Sequence, residues 1–294
     1  MLVVAEKTGQ LGNRLILFAH FIAFAIENNY TIVNPSFCEY ADCFESTCED
    51  LLIHYPPQKS ILKGNKSIRN IFYYSTRIIC EILYLLTRFK LKLKKIRVIK
   101  LKDQERFYLS KPEFSTSLSQ KPIIFCQGWL FRVDLDACLK YSDEIRAYFT
   151  PLEKHQHNVS TLISEARKAG EILVGVHIRH GDYKQFHGGK FYYSVDEYLE
   201  VMKKVEELFI SKQVVFLICS NIKQSQDIFS EFNFIFANDH FVEDMYSLAQ
   251  CDYIIGPPST YSLWASFYGN VPLYEIYDPE ANLSLDSFKI YLGT

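Results

Sequence analysis

The sequence predicts an α/β protein built from two Rossmann-like domains that face each other across a cleft. Three observations carry this reading. The chain has 294 residues, roughly twice the usual domain length. It opens on a strand, a glycine turn, a helix and a second strand. Its second half alternates strand-type and helix-type segments, the pattern of a parallel sheet with helices on both faces. Pro151, between two helical patterns, marks the linker, so the expected domains are 1–155 and 156–294.

Taken in order, residues 2–5 form a short buried-type strand and residues 9–13, Gly-Gln-Leu-Gly-Asn, a turn. Residues 14–27 are apolar almost all round, which predicts a buried helix, and residues 31–33 a strand stopped by Pro35. Residues 36–66 read as irregular, and 67–102 as an apolar and aromatic stretch running into a basic one. A strand at 123–126 leads to Gln127-Gly128-Trp129, and helical patterns follow at 142–149 and 159–169. In the second half, strands are expected at 172–178, 214–219, 234–236, 253–255 and 271–274. Helices are expected at 195–209, 224–232, 243–250 and 260–268.

Composition narrows the class. At 48% apolar and 22% charged, the chain can bury real cores, and disorder is excluded as its main theme. Its 32 basic and 34 acidic residues, net charge -2, exclude nucleic-acid binding by bulk positive charge. The 20 Tyr and 23 Phe suit large cores or stacking on sugars and bases. The opening lacks a basic segment followed by an apolar core and cleavage site. The longest apolar stretch, residues 15–26, is broken by His20 and too short to span a bilayer. We therefore expect a cytoplasmic protein with its eight cysteines reduced. The N-x-S/T matches at Asn29, Asn65, Asn158 and Asn282 are then accidental.

Three constellations carry chemistry. The first is Val176-His177-Ile178-Arg179-His180-Gly181-Asp182-Tyr183, a polar cluster just past a strand's carboxyl end. An arginine there can grip a diphosphate through paired hydrogen bonds and neutralise leaving-group charge. The plainer reading is a solvated loop with Arg179 paired to Asp182. The second is Gly256-Pro257-Pro258-Ser259-Thr260-Tyr261-Ser262-Leu263-Trp264, where Ser259 or Thr260 caps a helix. A helix start can be an ordinary cap or a phosphate site. The third is the Gly9–Gly12 turn, whose G-x-x-G spacing is not the dinucleotide G-x-G-x-x-G, so NAD binding is rejected.

Together, Gly-Gln-Leu-Gly-Asn, His-Ile-Arg-x-Gly-Asp-Tyr, Glu243-Asp244-Met245-Tyr246 and Ser-x-Tyr-Ser-x-Trp resemble the bacterial α-1,2-fucosyltransferases. These belong to a superfamily with the α-1,6- and protein O-fucosyltransferases. Gln127-Gly128-Trp129 ahead of Ile145-Arg146-x-x-Phe149 also falls where that family has a similar element. The resemblance spans nearly the whole chain in order and is weak between Cys38 and Pro122. It implies a GT-B architecture, with GDP-fucose held by the carboxyl-terminal domain and the acceptor by the amino-terminal one. It implies inversion at the anomeric carbon, no metal and no cofactor beyond the GDP-sugar co-substrate.

Carried across, Arg179 holds the β-phosphate and His177 lines the nucleotide site. Ser259, Thr260 and Ser262 contact phosphate, Ser220 and Asn221 belong to the donor site, and Gly12 and Asn13 face it from the other domain. The chain departs from the family pattern at His180, where a second Arg is usual. It departs also at Asn221, where an Asp is usual, and in the sequence around Ser259. One charge and one carboxylate are missing.

The expected function is transfer of fucose from GDP-β-L-fucose to a hydroxyl of an oligosaccharide or lipid-linked glycan. The alternatives are the same fold using another nucleotide sugar, and a catalytically silent nucleotide-sugar-binding or membrane-scaffold protein. The general base is expected in the mobile loop 182–190, where His187 has a suitable pKa and Asp182 is the second candidate. Asp134-Leu135-Asp136 matches a metal-binding D-x-D and is read as a chance match. Cys38, Cys43 and Cys48 lack C-x2-C spacing and a fourth ligand, so free buried thiols are expected there. Residues 88–102 hold eight basic side chains and no acid, which fits either a solvated face or docking on an anionic membrane, at the inner face of the plasma membrane.

Overall fold

Short β-branched and aromatic runs bounded by turns set the strands, and each strand's neighbours follow from which runs bury both faces. The computed structural model describes residues 1–58, 64–89, 93, 95–111, 114 and 122–290. The chain divides into two units, Met1–Leu152 and Glu153–Gly293.

In the first unit, β1 (Leu2–Val4) lies at the centre of a five-stranded sheet. It pairs in parallel with β2 (Ile32–Val33) and with β6 (Ile123–Gln127), and β6 pairs in parallel with β4 (Ile96–Lys100). β3 (His54–Tyr55) closes the other edge antiparallel to β2. A separate parallel pair joins β5 (Phe107–Tyr108) to β7 (Phe131–Arg132). Helix α1 (Leu11–Asn28) buries nearly its whole surface, as its all-round apolar sequence predicts. Around Phe18 the rings of Phe37, Phe44, Tyr148 and Phe149 meet mostly edge to face at 5.0–5.8 Å, the arrangement that aromatic quadrupoles favour. Helix α2 (Lys66–Arg88) follows, with α3 (Leu135–Lys140) and α4 (Ser142–Tyr148) further on.

The basic stretch is divided in the fold. Arg97 and Lys100 lie in β4, and Lys100 pairs with Glu81 at 2.9 Å. Lys90, Lys92 and Lys94 lie outside the described residues. Cys38, Cys43 and Cys48 are free thiols, as are the other five cysteines, and all but the partly exposed Cys48 are buried. Cys38 donates to Asn70 and Cys48 to the carbonyl of Glu45. Asp134 and Asp136 are exposed at the start of α3.

The second unit begins with α5 (Glu153–Ala169) and holds five parallel strands: β8 (Ile172–Ile178), β9 (Val214–Ser220), β10 (Phe234–Phe236), β11 (Tyr253–Gly256) and β12 (Leu273–Glu275). Their spatial order is β10-β9-β8-β11-β12, the doubly wound order 3-2-1-4-5 of a Rossmann-like sheet. Val174, Val176, Ile178, Phe216, Ile218 and Ile255 are buried in its core. Helices α6 (Val195–Leu208), α7 (Phe241–Leu248) and α8 (Thr260–Gly269) complete the unit. A capping box of Ser194 and Glu197 fixes the start of α6.

One expected helix is absent. Residues 224–232 form only a 3-10 turn at Gln226–Phe229. The Gln224 amide turns back to Ser220 and Ile222, and the Ser230 hydroxyl bonds the Asp227 carbonyl. Such local side-chain bonds compete with helical ones.

Candidate active site

Strand order in the second unit reverses between β8 and β11: from β8 the chain moves outward to β9 and β10, then crosses back to β11 and β12 on the other side. In doubly wound sheets the crevice at that switch point, beyond the strands' carboxyl ends, is where ligands bind. β8 ends at Ile178 and delivers Arg179; β11 ends at Gly256 and delivers the Ser259 cap of α8. Two loops separated by about 80 residues therefore meet at one place.

Beneath the loops, strand β8 meets helix α8 at His177 and Ser262, which are 2.6 Å apart through Nδ1 and Oγ. Both are buried. Burial, with a smaller effect from Arg179, lowers the His177 pKa to about 3, so the imidazole is neutral at working pH. The Tyr261 ring lies 4.9 Å from it. Ser262 is wholly buried and its hydroxyl is engaged with His177. Gly256 permits the approach: a Cβ there would stand 2.9 Å from the His177 Cβ and 3.0 Å from its carbonyl oxygen.

Arg179 extends from the strand end. Its backbone N–H donates to the Tyr198 hydroxyl at 3.2 Å, and its Nη2 donates to Asp182 at 2.9 Å. The Tyr183 ring packs beneath the guanidinium at 5.5 Å, and the Tyr183 hydroxyl donates to the Pro258 carbonyl at 2.8 Å. Tyr183 therefore ties the arginine loop to the helix-start loop. Ser259 accepts from the Tyr261 N–H, capping α8 and leaving the helix's positive end beside Arg179's loop.

The remaining expected residues fall in different places. Asn221 is engaged on His180, accepting from its N–H at 2.8 Å and donating to its carbonyl at 3.2 Å. Ser220 forms a turn with Ile222 and receives Gln224. His180 is itself buried, with Nε2 2.9 Å from the Tyr193 carbonyl. Two of the departures from the family pattern, His180 and Asn221, thus form one clamp joining the loops after β8 and β9. Gly181, at φ 61, makes the turn that follows possible. His187 is exposed on a turn at φ 49, its ring against Phe186 at 4.3 Å. Gly12 and Asn13 lie in the first turn of α1 in the first unit. Beside them, buried Arg14 donates to the carbonyls of Gly9 and Ser36 and pairs with Glu39, which also holds Lys7.

Among the described residues, His155, His240 and Glu243 have ligand atoms within 4.8 Å of one another. The Glu243 carboxylate already takes His155 at 2.8 Å, Asn158 at 2.9 Å and Asn238 at 3.3 Å, and His240 caps α7. These groups bond one another and brace α5 on α7.

The sequence motifs contain Tyr183, Tyr261 and Gly256 without assigning them a role, and nothing in the sequence points to Tyr198.

The sequence profile of glycosyl transferase family 11 matches residues 83–274, about two-thirds of the chain. The chain belongs to glycosyl transferase family 11. It is a glycosyltransferase, and it has the α/β fold of the fucosyltransferase structures. A variant of Arabidopsis thaliana FUT1 in complex with GDP aligns at TM-score 0.62 and 13% identity, over 100% of this chain and 75% of that one. POFUT1 in complex with GDP-fucose aligns at 0.56 and 12%, over 92% and 94%. The α-1,6-fucosyltransferase NodZ, described from Bradyrhizobium and soaked with GDP-fucose, aligns at 0.54 and 15%, over 100% and 99%. At these identities the likeness is one of fold. No curated protein matches this family 11 chain by sequence.

Proposed function

We propose that this enzyme transfers fucose from GDP-β-L-fucose to a glycan hydroxyl with inversion and without a metal. The observation that carries it is the convergence of Arg179 with the capped start of α8 at the switch point between β8 and β11. A guanidinium and a helix N-terminus are two sources of positive potential aimed at one place, which suits a diphosphate leaving group. The GDP and GDP-fucose complexes of FUT1, POFUT1 and NodZ support GDP-fucose as the donor.

In the reaction, the acceptor oxygen attacks the anomeric carbon opposite the leaving group. The bond from that carbon to the β-phosphate oxygen breaks, and its electron pair leaves on GDP. Arg179 and the helix start stabilise the growing charge. His177, kept neutral and held by Ser262, forms the wall behind Arg179. The acceptor proton goes to His187, because Asp182 is engaged with Arg179. Gly12 and Asn13 are assigned to the acceptor-side unit, and Ser220 and Asn221 shape the donor site through the clamp on His180. We place the reaction in the cytoplasm, which the eight free thiols support.

The test is a thermal-shift screen of GDP-fucose, GDP-mannose and UDP-galactose, followed by NMR of the product anomer, with and without EDTA. GDP-fucose should give the largest shift, and an α-linked product should form equally in EDTA. A larger shift with another donor moves the assignment to that sugar, and binding without turnover makes the protein a silent binder.

A further inference from the structure

Helix α2 packs on its unit the reverse way from most surface helices. Its polar face is inward. Arg69 is buried, pairs with Asp42 and donates to the carbonyls of Thr47, Cys48 and Asp50. Tyr73 and Cys80 are buried on the same side, and Arg77 on its flank pairs with Glu6 and Glu81. The opposite face is apolar and open. Ile71 and Ile78 are 64% and 60% exposed, Ile79, Ile82 and Leu85 about half, and Phe89, just past the helix end, 78%.

At 3.6 residues per turn those six residues fall within an arc of about 120°. Within that arc the polar residues are Ser67 and Ser75, and none is charged. A stripe of this kind, running about 27 Å from Ile71 to Phe89, is far more apolar surface than a helix leaves to water without a partner.

Charge says what the partner is. By sequence, residues 88–102, from the last residue of α2 onward, carry eight basic side chains and no acid in a protein of net charge -2, and the pair of Lys100 with Glu81 offsets one of them. A second copy would supply an apolar face but repeat the positive charge. An anionic bilayer supplies both an apolar layer and the opposite charge. No helix among the described residues is long and apolar enough to cross a membrane, so the contact is one of a helix lying in the interface.

We propose that α2 is an interfacial helix that seats the enzyme on an anionic bilayer. Ile71, Ile78, Ile82 and Phe89 enter the acyl boundary, with the exposed Arg88 at the end of the helix meeting the headgroups. This does not depend on the identity of the donor sugar.

Flotation of the full chain with vesicles tests it. Binding to phosphatidylcholine containing one-third phosphatidylglycerol should exceed binding to phosphatidylcholine alone by about tenfold or more and weaken in high salt. The triple variant Ile71→Ser, Ile78→Ser, Ile82→Ser should lose about tenfold or more of that binding, with unchanged melting temperature and unchanged transfer to a soluble acceptor. Leu85→Trp provides an independent readout: its emission should shift to the blue on anionic vesicles and be quenched by brominated lipid. Equal flotation of the triple variant, no flotation of the parent, or no quenching at residue 85 would each overturn the proposal. So would a dimer, seen by sedimentation, that the triple variant dissolves without any change in vesicle binding.

Discussion

Replacing Gly256 by alanine tests whether the two loops of the crevice depend on close approach. The added methyl would stand 2.9 Å from the His177 Cβ and 3.0 Å from its carbonyl, with the Ser262 hydroxyl at 3.4 Å. Ordinary carbon contacts need roughly half an ångström to one ångström more. β8 and β11 cannot separate freely, because Ile255 pairs with Val176 immediately before this point. Overpacking of this sort costs about 1–3 kcal/mol. For a unit of this size that is a fall of about 3–10 °C in melting temperature. The strain also moves His177 against Ser262, so the wall behind Arg179 shifts and GDP affinity should fall by about tenfold. Calorimetry of unfolding and of GDP binding reads both. A variant that keeps its melting temperature and its GDP affinity would refute the idea that this contact shapes the site.

Arg179→Ala should lower turnover by about 10²–10³. The fold should survive, since the partner Asp182 is 53% exposed and such pairs contribute at most about 1 kcal/mol. Full turnover in that variant removes the phosphate role. His187→Gln should reduce transfer by about 10² while GDP affinity holds; unchanged transfer returns the proton to Asp182 or another group. Asp244→Asn should stabilise the protein above pH 7. Burial raises the Asp244 carboxyl from 3.8 to about 7, so between those values the unfolded chain ionises while the native one keeps its proton. Stability therefore falls as pH rises through that window, by about 4 kcal/mol in all and roughly 3 kcal/mol between pH 5 and pH 8, and the variant should abolish that fall in urea titrations at the two pH values.

The second unit was readable because its strands are bounded, β-branched runs. Residues 172–178 and 234–236 form strands as expected, and the other three differ by one or two residues at their ends. The candidate site's two loops were readable because each follows a strand end, which periodicity locates. What escaped is what periodicity does not encode. The clamp between His180 and Asn221 joins residues 41 apart through backbone and amide, and neither residue type announces it. Residues 224–232 have a helical apolar spacing, yet Gln224 and Ser230 bond locally and stop the helix. The reversal of α2 was hidden for a different reason. An amphipathic pattern shows that two faces differ, and only the buried bonds of Arg69 show which one points inward.

The scattered thiols give this enzyme an internal clock for opening. Cys48 alone is partly exposed, whereas Cys126 and Cys138 lie in the first unit's interior and Cys219 and Cys251 in the second's. Burial pushes the Cys138 thiol up to about 12 and raises those of Cys126, Cys219 and Cys251 as well. A neutral alkylating reagent therefore labels Cys48 first and reaches the others only when the chain around them comes apart. Peptide mass spectrometry after timed alkylation then reports two rates, one for each unit. A sugar nucleotide held by residues 153–293 should slow the labelling of Cys219 and Cys251 and leave that of Cys126 and Cys138 unchanged.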